Sequence, residues 1–141
     1  MRTKPIVVVA CVGLALALTS ARVWAHHAFA AEFDANKPVK FAATVTKMLW
    51  VNPHAWIYVD VKKADGTTEE WMIEAGTPNT LLRRGFTKQS LLPGTTVTVD
   101  GYQSKDGSRR ANGRDLTLPN GQTLFLGSSG TGAPDEEKGK K

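Results

Sequence analysis

The fold class is decided by the stretch Ala55-Trp56-Ile57-Tyr58-Val59-Asp60-Val61, in which small or branched apolar side chains alternate with larger or polar ones. A period of two residues is typical of a β-strand that places one face on the core. Asp65-Gly66 is a strong signal for a hairpin turn, and residues 68–75 resume the alternation around Ile73. The sequence therefore predicts a β-hairpin near the middle of the chain.

Further strands are predicted on both sides of this hairpin, over residues 39–51, 95–102, 114–118 and 122–126. Only residues 78–84 have helical spacing, with Thr77 as the N-cap and Gly85 as the stop. A helix between the third and fourth strands matches the OB-fold. We therefore predict an all-β domain with one short helix, in which five or six strands form an OB-fold-like antiparallel barrel. A small β-sandwich is the alternative.

Residues 1–25 have the three parts of a secretory signal peptide. Arg2 and Lys4 precede an apolar run over residues 6–18, and Val23-Trp24-Ala25 supplies the small side chains of a cleavage site. The run is too short to span a bilayer, so no permanent membrane span is expected. We predict cleavage after Ala25 and a periplasmic or secreted protein, which would lose Cys11 and with it any disulfide or thiol chemistry.

The mature chain divides by composition into three parts. We expect an N-terminal arm over residues 26–38, the OB-like barrel domain over residues 39–127 and a disordered tail, rich in Gly, Ser and charge, over residues 128–141. The net charge falls from +5 to +2 once Arg2, Lys4 and Arg22 leave with the signal peptide. Nucleic-acid binding usually needs a concentrated basic surface, so it is not favoured.

The chain carries four short motifs: His26-His27-Ala28-Phe29, Glu32-Phe33-Asp34, Trp50-Val51-Asn52-Pro53-His54-Ala55-Trp56-Ile57-Tyr58 and Lys105-Asp106-Gly107-Ser108. Together they resemble a family of small secreted bacterial proteins classed as a domain of unknown function. The resemblance covers most of residues 26–127 and implies secretion and a single domain, but it brings no established activity. The predicted topology also resembles, distantly, periplasmic bacterial OB-fold proteins.

The three histidines are the candidate metal ligands. Cleavage after Ala25 would make His26 the amino terminus, whose amine and ring nitrogens can chelate one cation, and His54 can add a second imidazole. A nitrogen-rich tetragonal site favours Cu(II). Glu32 or Asp34 could add a carboxylate or orient a ring. The predicted metal residues are therefore His26, His27 and His54; the alternative is that His26 and His27 trail in solvent and His54 is a turn residue.

An aromatic face is the candidate site for another ligand. Trp56 and Tyr58 point away from the core, and Met72 on the next strand has the matching parity. Exposed aromatic rings at this position can stack on a ligand, while Arg109 and Arg110 could hold an anionic group. The open alternative is that Trp56 lies beneath the N-terminal arm and its phenylalanines.

Catalytic motifs do not support an enzyme. The chain has no nucleophile elbow or zinc-protease signature, and Glu70 and Glu74 share a strand face on which paired carboxylates are usually solvated. We therefore predict a non-enzymatic periplasmic binding or accessory protein that binds copper or another divalent metal through the N-terminal histidine site. A metal-free module that uses the aromatic face to bind a protein or the envelope is the alternative. A small copper-dependent oxidoreductase is the second alternative.

Overall fold

Residues 29–127 are described by the structure, which is a computed structural model. A helical turn at residues 29–32 comes first. The strands are β1 (Phe33–Leu49), β2 (Trp56–Lys62), β3 (Thr68–Glu74), β4 (Thr96–Ser104), β5 (Arg110–Thr117) and β6 (Thr123–Phe125), and helix α1 (Pro78–Arg83) lies between β3 and β4. The prediction of an all-β domain with a short helix is confirmed. The predicted signal peptide and disordered tail lie outside the described residues.

The strands are hydrogen-bonded in the order β3-β2-β1-β4-β5-β6, and every neighbouring pair is antiparallel. The long strand β1 pairs with two strands: its residues 44–49 pair with β2, and its residues 38–44 pair with β4. One parallel pairing links β3 to β5, between Met72–Glu74 and Arg110–Asn112. This short contact joins β1, β2, β3, β5 and β4 into an irregular ring, so the strands close on themselves without forming a regular barrel.

The core lies inside this ring and follows the predicted alternation. Ala55, Ile57 and Val59 on β2 and the turn before it are fully buried, as is Ile73 on β3. They pack with further buried side chains of the other strands and the helix, including Val45, Leu81, Phe86, Val97, Val99, Ala111, Leu116 and Leu126. Burying aliphatic side chains in this way supplies the main driving force for folding.

The start of helix α1 is determined by its N-cap and its first helical residue. The Thr77 hydroxyl accepts a hydrogen bond from the Thr80 backbone N–H at 3.2 Å, and Pro78 occupies the first helical position. An N-cap of this kind satisfies a donor that the helix itself cannot pair. Leu81 is then buried while Leu82 is 50% exposed, so the helix contributes one leucine to the core.

Two strands begin earlier than their sequence pattern predicts. β1 begins at Phe33 rather than Val39, and β5 begins at Arg110 rather than Arg114. The start of β5 contains Gly113, and glycine is a poor strand former. In the fold, however, a Cβ at position 113 would lie 2.8 Å from the side chains of Ile73 and Leu126. Glycine is therefore required where β3, β5 and the chain after β6 converge.

Candidate functional site

A row of four side chains crosses the outer face of the sheet, which is the face turned away from the core. Tyr102 on β4 pairs with Asn112 on β5, Asn112 with Glu74 on β3, and Glu74 with Trp56 on β2. Tyr102, Asn112 and Glu74 are buried, with 7%, 8% and 7% of their surface exposed. Because an outer face is normally open to water, burial of this row requires a cover.

The described part of the N-terminal arm covers the Tyr102 end of the row. Phe29 packs edge-on against Tyr102, with ring centroids 5.6 Å apart, and lies 5.9 Å from Phe33. Lys105, in the turn between β4 and β5, donates its backbone N–H to the Glu32 carbonyl at 2.9 Å and its ammonium to the Ala30 carbonyl. The three aromatic rings form a second small core that attaches the arm to the sheet.

Arg110 joins the arm to β2. Its Nη2 lies 2.9 Å from Glu32 Oε2, and its guanidinium carbon lies 5.3 Å from the centroid of the Trp56 ring. The same carbon lies 6.0 Å from the centroid of Phe33. A guanidinium can form an ion pair in its plane while its face lies on an aromatic ring, and Arg110 uses both properties.

His54 and Glu74 form a half-buried pair at the other end of the row. His54 Nδ1 lies 3.1 Å from Glu74 Oε1, with 29% and 10% of the two side chains exposed. Burial raises the pKa of Glu74 to about 7, and the negative charge of Glu32 adds to this effect, whereas Arg110 and a hydrogen bond from Asn112 oppose it. Burial also lowers the pKa of His54, against the opposing influence of Glu32.

The local backbone explains why these two residues meet. The turn before β2 contains a cis peptide bond between Asn52 and Pro53. Immediately after it, the Ala55 N–H donates to the Gly76 carbonyl and the Ala75 N–H donates to the Ala55 carbonyl, at 3.1 and 2.8 Å. These bonds extend the hairpin ladder beyond β2 and bring the turn that carries His54 to the end of β3.

The turn between β4 and β5 is rigidified by Asp106. Its carboxylate accepts hydrogen bonds from the Ser104 hydroxyl at 2.5 Å and the Ser108 N–H at 2.9 Å, and these bonds lower the pKa of Asp106 to about 2. Gly107 has a φ of 76°, which L residues rarely adopt. These interactions within the Lys105-Asp106-Gly107-Ser108 turn fix the position of Lys105, which forms hydrogen bonds with the arm.

The residues predicted to bind a ligand come together in part. Met72, Arg109 and Arg110 line an open groove of about 500 Å³ with Glu70, Gly107 and Ser108. Trp56 is half-buried, and the guanidinium of Arg110 lies over its ring. Tyr58 pairs with Met72 on β3 and has the Lys47 ammonium 4.4 Å from its ring centroid.

The predicted metal ligands are only partly described. His54 occupies the position given above, whereas His26 and His27 lie outside the described residues. Glu32 is paired with Arg110, and the Asp34 carboxylate accepts the Asn36 N–H at 2.9 Å. Over residues 29–127, no three His, Cys, Asp or Glu side chains are placed to hold a metal ion.

The carboxylate that contacts His54 is Glu74, which the sequence reasoning assigned to a solvated face. The Asp65-Gly66 turn is the sequence signal that could have predicted the contact between Glu74 and His54. A hairpin closed there pairs residue 74 with Trp56, and so places Glu74 beside the turn that carries His54.

Comparison with known proteins gives a family but no relative of known role. A family model described as a family of unknown function (DUF6152) matches residues 14–113. No curated protein matches the chain. Among the described residues, no helix has the length and apolar character needed to cross a bilayer.

Proposed function

The chain belongs to DUF6152, a family of unknown function, and from its own residues we propose that it is a non-enzymatic binding protein of the periplasm or the secreted fraction. Its ligand in this proposal is Cu(II), held at the amino terminus that signal-peptide cleavage would create. His54 supplies one nitrogen, and His26 supplies its amine and ring nitrogens. His27 stands next to these donors in the sequence.

The observation that carries the proposal is the contact between His54 Nδ1 and Glu74 Oε1. At this distance an ionised Glu74 favours a proton on Nδ1 of His54, which leaves the lone pair of Nε2 free. Metal-ligating histidines almost always donate their second ring N–H to a carboxylate, a carbonyl or a water. The Glu74 contact therefore supports His54 as a ligand that is already oriented, with 29% of its side chain accessible.

The reach of the chain supports the same site. Phe29 is anchored against Tyr102, and Glu32 is close enough to His54 to influence its pKa. His26 precedes Phe29 by three residues, a span of about 10 Å when extended. A primary amine and two imidazoles make a nitrogen-rich donor set, and Cu(II) binds such sets more tightly than the other divalent first-row metals.

The decisive experiment compares two forms of the mature chain, one beginning at His26 and one with a single glycine added before it. We expect the native form to bind one Cu(II) tightly and the extended form to lose that affinity, because the chelate needs a free amine on His26. Isothermal titration calorimetry measures both forms, and circular dichroism checks that the fold is unchanged. Equal affinities would refute the proposal.

A second candidate is a metal-free interaction module, and the groove beside Met72, Arg109 and Arg110 favours it. An apolar side chain between two cations suits a peptide or an envelope component that carries both apolar and acidic groups. Metal analysis of untagged protein purified from the periplasm separates the candidates. Stoichiometric copper supports the first, and an empty site supports the second.

A further inference from the structure

We propose that the open edge of β3, at residues 68–71, is a docking site for an extended peptide segment of another protein. The peptide lies beside these residues, in line with β5, and forms backbone hydrogen bonds with β3. Addition of a strand to an exposed sheet edge is a recurring mode of peptide recognition. The proposal does not depend on copper, and it goes beyond the proposed function by giving the groove a binding mode and a class of partner.

The edge is open because β3 has a partner along only part of one side. On its other side, β2 pairs with the whole of β3, from Thr68 to Glu74, whereas β5 pairs only with residues 72–74. Within the part of the chain that the structure describes, no strand pairs with residues 68–71 on the β5 side. Backbone groups that point to that side therefore have no strand to bind.

The backbone of Glu70 points to this open side. The Met72 N–H donates to the Arg109 carbonyl at 3.0 Å, so the even-numbered residues of β3 direct their backbone groups towards β5. Just beyond the strand, the odd-numbered Ala75 donates to the Ala55 carbonyl, on the β2 side. Because successive residues of a paired strand alternate between its two edges, the N–H and C=O of Glu70 face away from β2.

A groove lies at the open edge. It has a volume of about 500 Å³ and is lined by Glu70 and Met72 of β3 and by residues 107–110. The wall opposite β3 is held by the Asp106 carboxylate, which accepts hydrogen bonds from within the same turn. A Cβ on Gly107 would have no atom within 4 Å, so this wall faces open space. The groove is therefore bounded by a turn whose own hydrogen bonds fix its shape.

The charges at the edge favour a basic side chain in the peptide. Asp60 on β2 and Glu70 on β3 lie directly opposite each other, and neither forms an ion pair with any residue of the range 29–127. The groove cations Arg109 and Arg110, by contrast, already pair with carboxylates at 3.3 and 2.9 Å. A lysine or arginine beside Glu70 would offset the repulsion between the two carboxylates.

A second copy of this chain fits the open edge less well than a different partner. Antiparallel pairing of two β3 strands, centred on residues 69–70, would bring Glu69 and Glu70 against the same residues of the other copy. Like charges directly opposite each other destabilise neighbouring strands. Charged side chains of this kind protect an exposed edge against self-association, while a basic peptide does not meet the same repulsion.

The probe is the synthetic peptide acetyl-Glu-Thr-Val-Lys-Val-Thr-Glu-amide, whose sequence is the same in both strand directions. Its central lysine matches Glu70, and its terminal glutamates suit the groove arginines. One control peptide is N-methylated at the three central residues, which keeps the side chains but removes their backbone donors. A second control peptide has glutamate in place of the central lysine, which sets like charges side by side.

Nuclear magnetic resonance titration of the mature chain, with a chelator present to exclude metals, measures the affinity for each peptide. Hydrogen exchange reports the individual amides. In the free protein we expect the Glu70 amide to exchange faster than the neighbouring Trp71 amide, which points to β2. The probe should slow exchange at Glu70, and each control peptide should bind about 10-fold more weakly or less.

Two substitutions at position 70 separate the backbone from the charge. Glu70→Pro removes the N–H that faces the open side, and an edge position of this kind tolerates proline because no bond to β2 is lost. It should weaken binding of the probe by about 10-fold or more. Glu70→Gln keeps the N–H and should weaken binding by only about 2- to 5-fold, the usual effect of losing one exposed ion pair.

Binding of the probe, with protection of the Glu70 amide and weaker binding of both controls, supports the proposal. It is overturned if the probe does not bind, or if the N-methylated peptide binds equally well, since side chains alone would then account for the contact. Binding that leaves the Glu70 amide unprotected overturns it too. If Glu70→Pro fails to fold, the N-methylated peptide still decides. Copper affinity is measured separately, so the failure of either proposal leaves the other standing.

Discussion

His54 and Glu74 lie 3.1 Å apart, Nδ1 to Oε1, at the end of the β2–β3 ladder that is farthest from the Asp65-Gly66 turn. Burial raises the pKa of Glu74 to about 7 and lowers that of His54. Burial acts in opposite directions on the two pKa values because it penalises the charged form of each group.

The pH dependence of stability should reveal the raised pKa of Glu74. Its pKa is about 7 in the folded chain against 4.5 for an ordinary glutamate, so the folded state holds the proton more tightly. Through Glu74, the free energy of unfolding therefore falls as pH rises from about 4.5 to about 7, by at most about 1.4 kcal/mol per pH unit. Glu74→Gln removes this fall, and urea unfolding across that range measures it.

The lowered pKa of His54 acts in the opposite direction. The folded state binds this proton less tightly, so the free energy of unfolding rises with pH up to about 6.5. In Glu74→Gln only this rise should remain. Glu70→Gln is the matched control, because Glu70 lies on the same strand face but is exposed. Parallel pH profiles for the wild type and Glu74→Gln would contradict the assignment.

The two adjacent leucines of helix α1 should differ sharply in their contribution to stability. Leu81 is fully buried, so Leu81→Ala should lower the free energy of unfolding by about 2–5 kcal/mol through lost contacts and a cavity. Leu82 is half-exposed, and Leu82→Ala should cost less than about 1 kcal/mol. Chemical denaturation of both variants provides the comparison, and similar losses would show that the helix faces the core differently.

Two glycines should resist substitution for different reasons. A Cβ on Gly113 would lie 2.8 Å from the buried side chains of Ile73 and Leu126 and 3.0 Å from the Glu74 backbone oxygen, so Gly113→Ala should cost about 1–3 kcal/mol. A Cβ on Gly101 would overlap the backbone carbonyl of Asn112, which cannot move without opening the pairing of β4 and β5. We expect Gly101→Ala to be the more destabilising in thermal unfolding. The reverse order would count against this packing.

The N-cap of helix α1 offers a smaller and cleaner test. Thr77→Ala removes the hydroxyl that accepts the Thr80 N–H and should lower stability by about 1 kcal/mol. Thr77→Ser keeps that hydroxyl and should stay close to the wild type. The midpoint of urea unfolding measures both variants, and an equal loss in Thr77→Ser would mean that the methyl group rather than the hydrogen bond matters.

The predictable part of the fold depends on residues close in the chain. Alternation identified Ala55, Ile57 and Val59 as core residues, and Thr77-Pro78 identified the start of the helix, because these signals need only one element and its neighbours. The start of β5 was not predictable in this way. Its strand-like backbone depends on pairing with β3, which lies far away in the sequence.

Within the candidate site, only the residues whose side chains have well-known binding chemistry could be predicted from the sequence. His54, Trp56 and Arg110 were identified as candidates because an imidazole can ligate a metal, an indole can stack on a ligand and a guanidinium can hold an anionic group. Glu74 was placed in solvent, since alternation assigns a residue to the outer face but cannot say what covers that face. Phe29 and Phe33 of the arm cover Tyr102 on that face, and Glu74 lies against His54; both contacts join residues that are far apart in the sequence.

The amino-acid order alone determined the all-β class, the hairpin at Asp65-Gly66 and the capped helix, because backbone dihedrals and side-chain periodicity are local properties. Tertiary structure alone decided that Glu74 would be buried against His54 and that Arg110 would bridge Glu32 and Trp56. The physical reason is that desolvation and ion pairing depend on which distant surfaces are brought into contact, and a one-dimensional pattern does not contain that information.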